Sequence, residues 1–305
     1  MFLICASITL AIQVTGFILA FILQTEKFYD ILGGLNYLVL ALYSAVVIDS
    51  SEHAWSDDKR KVACTLVFVS SRGWLLLFLA WRAHERGGDS RFDEVKDKFG
   101  KFLVFWLVQG LWVFIISLPL IFVNSSSVWK PSFSGLDCVS LSCFSVGVFC
   151  EIVADIQKSI WVKQGRIGGF CCVGIWKYSR HPNYFGEMLQ WWACWIFAFS
   201  SGVGISDLGW WSSILSPLFT MHILLNTDAT GIPQANGKNL KRYYDKCPVE
   251  YSNYRETTSI LLPMVGYKDI PLFLKRSVLL DLERWEYFPK EKKANDELKA
   301  DSKSE

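Results

Sequence analysis

The sequence predicts an all-α fold, a polytopic membrane helix bundle of about seven transmembrane helices with a cytosolic C-terminal region. Three observations lead there. Of 305 residues, 51% are hydrophobic and only 20% charged, and a mean hydropathy of +0.26 gives more apolar surface than a soluble domain has use for. Several apolar runs approach or exceed the roughly 18 to 20 residues that cross about 30 Å of hydrocarbon as a helix. The Lys and Arg side chains, finally, segregate to one side once those runs are threaded. Fourteen Trp and 22 Phe exclude a disordered chain. A net charge of +2 supplies no field for a polyanion, so no nucleic-acid partner is expected.

The first run, residues 2–23, has neither the basic start nor the small-residue cleavage site of a signal peptide, so it is expected to remain as the first span. Further spans are expected at 31–48, 62–81, 102–123, 136–154, 185–199 and 208–225. The sixth is short and is followed by Ser200, Ser201, Gly202 and Gly204, which makes it the weakest. Of the 31 Lys and Arg residues, all but five then fall on one side; Lys59, Arg60, Lys61 and Lys130 lie on the other, and Arg72 lies within a span. The positive-inside rule puts the N-terminus in the lumen and the C-terminal region in the cytosol. The expected organisation is a transmembrane domain over 1–267, a cytosolic segment over 268–289 and a charged, disordered tail over 290–305. Nine cysteines are an odd number, and most sit in apolar runs without zinc-ligand spacing, so neither a disulfide framework nor a metal is expected.

Ionisable groups inside spans are costly enough to point to function. Glu151 and Asp155 share a helix face at i, i+4, and Gln157 and Lys158 follow at the membrane boundary. Either Lys158 and water satisfy the pair at the interface, or the pair lines a polar cavity. Arg72 reads equally as a snorkelling or ion-paired structural arginine and as a ligand group. The richest segment is residues 174–192, GIWKYSRHPNYFGEMLQWW. Pro182 suits the first turn of a helix, so a helix is expected to start near His181. Its N-terminal N–H groups, with Lys177 and Arg180 just before them, form a site for an anion such as a cofactor phosphate. Asn183, Glu187 and Gln190 share one face and are able to bind an amide or hydroxyl ligand. Tyr184 either donates a proton or anchors the helix at the interface. His181 reads first as a capping or interface residue. Gly87 and Gly88, with Asp89 and Arg91, suggest a flexible loop whose charges pair with each other or hold a ligand.

The string SRHPNYFGE followed by a tryptophan pair resembles the steroid 5-alpha-reductase C-terminal superfamily, in particular its domain-of-unknown-function branch. SRGWLLLFLAWRAHERGGDSRFDEVK from Ser71, EIVADIQK from Glu151, TGIP from Thr230 and YSNYRETTSILLP from Tyr251 are similar to the same branch, so the resemblance covers roughly residues 30–267. It implies a multi-span membrane enzyme, of the endoplasmic reticulum among other membranes, that uses NADPH to reduce a carbon–carbon double bond in a lipid or steroid-like substrate. By the same resemblance Asp155, Asn183 and Glu187 hold the cofactor, with Asn183 and Glu187 toward the nicotinamide and Arg180 near the phosphates. Lys158, Lys177 and His181 complete the expected cofactor-binding set, and Tyr184 and Glu187 are the candidate catalytic residues. The glutamate–tyrosine donor pair of the steroid reductases finds no match between Ile31 and Arg72, and Asn236 stands where the branch often has a glutamate. No GxGxxG fingerprint follows a predicted strand, so a nicotinamide cofactor would be held without a Rossmann domain. Two alternatives remain. Membrane isoprenylcysteine and phospholipid methyltransferases share an RHPxY segment, which admits S-adenosylmethionine-dependent methyl transfer. A non-catalytic lipid-binding protein would keep the apolar helices and need no cofactor.

Overall fold

The computed structural model describes residues 1–46, 55–86, 92–128, 132–227 and 231–281. The glycine loop at 87–91, Thr230, the side chain of Asn236 and the tail at 290–305 lie outside the described residues. Among those described, all regular structure is helical apart from a single bridge between Ser179 and Ser259. The helices are α1 Phe2–Ile22, α2 Tyr29–Val46, α3 Lys59–Arg86, α4 Phe99–Ser125, α5 Gly135–Lys163, α6 Pro182–Phe199, α7 Leu208–Ser212, α8 Leu215–Asn226, α9 Ile232–Lys246, α10 Pro248–Thr257 and α11 Leu272–Ser277.

Six segments among the described residues are long and apolar enough to cross a bilayer: α1 to α5, and α7 with α8 taken together. They answer to six of the seven expected spans. The remaining helix, α6, has 18 residues but falls outside that group because Asn183, Glu187 and Gln190 dilute its apolar face. Outward faces of the spans are themselves apolar, with Leu3, Ile22, Leu42, Leu77, Val139 and Phe149 all exposed. A surface of that kind is stable against acyl chains. The chain is an integral, multi-pass membrane protein.

The described chain forms two compact units, one from residues 1–146 with 189–219, the other from 147–188 with 220 onward. In the first unit α1, α2 and α4 pack on one another, and α3 packs on α2 and α4. Phe17, Phe92, Phe102 and Trp106 form an aromatic core there. Polar side chains tie these helices where no water competes. Gln13 donates to Asn36 at 3.1 Å, and Asn124 donates to Ser44 at 2.9 Å and to Thr65 at 3.1 Å. Arg60 meets Asp137 at 2.6 Å with both side chains buried, which joins the start of α3 to the start of α5.

The second unit places the C-terminal part of α5 against the N-terminal part of α6. A Cβ on Gly186 would lie 2.5 Å from the Gly147 carbonyl oxygen and 2.8 Å from the Glu151 nitrogen, so only glycine permits this approach. Gly186→Ala is expected to destabilise by about 1–3 kcal/mol by forcing the two helices apart, read as a lower melting temperature in detergent. Gly231 plays the same part at the start of α9, where a Cβ would meet the Leu224 carbonyl oxygen at 2.5 Å.

Candidate functional site

The close approach at Gly186 brings the polar faces of α5 and α6 together. One turn before Gly186 on α6, the Asn183 side-chain N–H donates to Asp155 at 3.4 Å. A carboxylate accepts and does not donate, so this orientation of the amide follows from the chemistry. It leaves Asn183 Oδ1 buried with no donor among the described residues. A buried acceptor without a donor costs about 1–3 kcal/mol, and it identifies the chemistry of a ligand that would repair it: an N–H, as in a carboxamide or an aromatic amine. Glu187 lies a further turn along α6, half-buried, and Glu151 lies one turn before Asp155 on α5, buried.

The turn ahead of α6 is held from several directions. Gln157 accepts from the Ile175 N–H at 3.0 Å, Trp176 donates its indole N–H to the Ala154 carbonyl at 3.0 Å, and the Lys158 ammonium sits 4.7 Å above the Trp176 ring. Tyr254 donates to the Trp176 carbonyl. Ser179 donates to the Leu261 carbonyl at 2.6 Å, and the Arg180 N–H donates to Ser259 at 2.8 Å. The His181 N–H donates to Ser179 Oγ at 3.1 Å, and Pro182 opens α6 as the sequence predicts. Lys177 is exposed.

Arg180 is buried, and its Nη2 contacts both carboxylate oxygens of Asp281 at 3.0 Å. Tyr267 donates its hydroxyl to the same carboxylate. Burial, and then this carboxylate, push the Tyr267 phenol well above its ordinary range, so it stays a donor. An anion bound at Arg180 therefore has to share the guanidinium with Asp281. The His181 and Tyr184 rings stack at 5.2 Å, and Tyr184 with Met188 packs on a cluster of Leu225, Ile232, Ile260 and Leu261.

Gln190, expected on the ligand face of α6, is fully buried in the first unit. There its Oε1 accepts from Ser71 at 2.5 Å and from Arg72 at 3.5 Å. Arg72 neither snorkels nor reaches solvent; it is 1% exposed, with its guanidinium 4.7 Å from the Trp191 ring and 5.7 Å from the Tyr37 ring. Gln190 and Arg72 thus share a polar contact within the first unit.

Sequence reasoning missed Asp281, Tyr267 and Ser179. Ser179 opens the string SRHPNYFGE, and the string ending at Pro263 supplies the Ser259–Leu261 strip that braces it and Arg180, whereas Tyr267 and Asp281 lie beyond both strings. Beneath the turn, burial raises the Cys171 thiol from an ordinary 9.0 to about 11. The unfolded chain then ionises first. Its stabilising contribution is complete below about pH 9 and is lost as pH rises to about 11. Cys171→Ser is expected to flatten the alkaline limb of a melting-temperature profile over that window.

Among the described residues, no group of three or more His, Cys, Asp or Glu side chains is arranged to hold a metal ion. Residues 16–258 match the model of a family described as "Protein of unknown function (DUF1295)". No curated protein and no solved structure matches the chain. The family match spans both helices of the Asp155–Asn183 pair and the turn that carries Arg180, and the chain belongs to the DUF1295 family.

Proposed function

We propose that this protein is a membrane-embedded, NADPH-dependent reductase of a carbon–carbon double bond in a lipid or steroid-like substrate. The observation that carries the reading is the buried Oδ1 of Asn183, an acceptor beside the Asp155 carboxylate that lacks a donor among the described residues. A nicotinamide carboxamide presents the N–H that this pair can accept, and the residues present fit that group. The motif resemblance to the steroid 5-alpha-reductase superfamily supports the same cofactor. Arg180, with Lys177 and the N-terminus of α6, would take the phosphates. Lys158 and His181 frame the same turn.

When bound, NADPH supplies the reducing equivalent. The chain's own residues orient it and exclude water. Asp155 and Asn183 fix the amide end, Glu187 lies next on the same helix, and the apolar packing around Tyr184 and Met188 keeps solvent from the reacting face. Tyr184 is the candidate proton donor and Glu187 its candidate acidic partner. The proposed setting is the endoplasmic reticulum, with the cofactor turn and the C-terminal region in the cytosol. The segregation of Lys and Arg supports that orientation.

The test is thermal stabilisation of the purified protein in detergent. A ligand at about 100 times its dissociation constant adds about 2.7 kcal/mol. NADPH is expected to raise the melting temperature and S-adenosylmethionine to leave it unchanged. A rise with S-adenosylmethionine alone would convert the reading to methyl transfer, and a rise with neither would leave a lipid-binding protein.

A further inference from the structure

The segment between Tyr267 and Asp281 forms a loop closed at its base. Tyr267, 2% exposed, donates to Asp281, and Asp281 is itself held by Arg180. Leu280 packs on the cluster of Leu225, Ile232, Ile260 and Leu261, so the base sits beside the end of α8, the helix that completes the sixth span. Between the anchors the chain turns apolar groups outward. Phe273 is 74% exposed, Val278 66% and Leu272 55%. Basic side chains are interleaved with them: Lys268 and Arg276 are exposed, and the Lys275 ammonium lies 4.3 Å from the Tyr267 ring.

Apolar side chains at this exposure are unfavourable in water, and in a chain anchored by its spans the nearest apolar phase is the bilayer. Apolar residues mixed with Lys and Arg are the composition of segments that lie in the headgroup region. We propose that residues 268–278 form an interfacial loop that seats Leu272, Phe273 and Val278 at the boundary between headgroups and acyl chains, and binds anionic phospholipid through Lys268 and Arg276. The side of the membrane richest in Lys and Arg is the one whose lipids carry negative charge. The assignment goes beyond the reductase reading and stands without it.

The full-length protein carrying Phe273→p-benzoylphenylalanine, reconstituted in nanodiscs of equal phosphatidylcholine and phosphatidylserine, reports what touches the loop by the mass of its photoadducts. Phospholipid adducts are expected, with phosphatidylserine favoured at least about fivefold, the preference conferred by one basic side chain near an anionic surface. Adding K268E and R276E, with the melting temperature unchanged, is expected to bring that ratio to parity while lipid adducts persist. Adducts confined to protein, an absence of lipid adducts, or a phosphatidylserine preference that survives both charge reversals would overturn the proposal.

Discussion

Asn183→Ala is expected to remove most of the stabilisation that NADPH confers, with little effect on the protein without cofactor. The Asn183 amide donates one hydrogen bond to Asp155 and keeps a buried acceptor without a donor. Deleting it therefore sacrifices one long bond and relieves one desolvated atom, and the two effects largely offset in the free protein. In the complex the same deletion leaves the ligand's N–H without its acceptor, a loss of about 1–3 kcal/mol, or roughly 5- to 150-fold in affinity. Asn183→Asp sharpens the test, because it sets a second carboxylate against Asp155 at hydrogen-bonding distance. The two like charges repel across that distance, so this variant is expected to bind NADPH more weakly than wild type. Isothermal titration with NADPH on the three proteins gives both quantities. Equal affinity in wild type and Asn183→Ala would remove the basis of the proposed site.

The second large effect lies at Arg180. Arg180→Ala strips the cation from a buried pair and leaves the Asp281 carboxylate, 15% exposed, with the Tyr267 hydroxyl as its remaining side-chain donor among the described residues. Removing one partner of a buried pair costs about 3–5 kcal/mol, which in a melting experiment should be the largest loss among single substitutions in this unit. Asp281→Asn keeps the shape and the Tyr267 contact while releasing the guanidinium from its counter-charge. It is expected to be milder in stability and to bind NADPH more tightly than wild type, with a steeper dependence on ionic strength. Reduced nicotinamide mononucleotide, which lacks the adenosine phosphates, should gain less. Weaker NADPH binding in Asp281→Asn would show instead that Asp281 positions Arg180 rather than competing with its ligand.

Much of this was legible in the chain itself. The six apolar spans, the start of the sixth predicted helix at Pro182 and the helix face carrying Asn183 and Glu187 all follow from patterns within a single segment. Helical periodicity is local, so a face can be read wherever it is written. The same reasoning grouped Gln190 with Asn183 and Glu187 but could not name the partners of Gln190 in the fold. It accepts from Ser71 and Arg72, residues more than a hundred positions away. The ring contacts of Arg72 were out of reach for a similar reason, since an aromatic box from Tyr37 and Trp191 cannot be inferred from the arginine's own neighbours in the chain.

Sequence by itself determined that this protein lives in a membrane, where its helices run, and which costly polar groups they carry, because burial in lipid forces long apolar runs and penalises every exception. Only the tertiary structure decided which exceptions meet. Asp155 reaches Asn183 because glycine at 186 lets α5 and α6 touch, and Arg180 meets Asp281 across 101 residues. The physical reason is that an unsatisfied polar group in a low-dielectric interior has a strong demand for a partner but no preference for one nearby in sequence, so packing makes the choice.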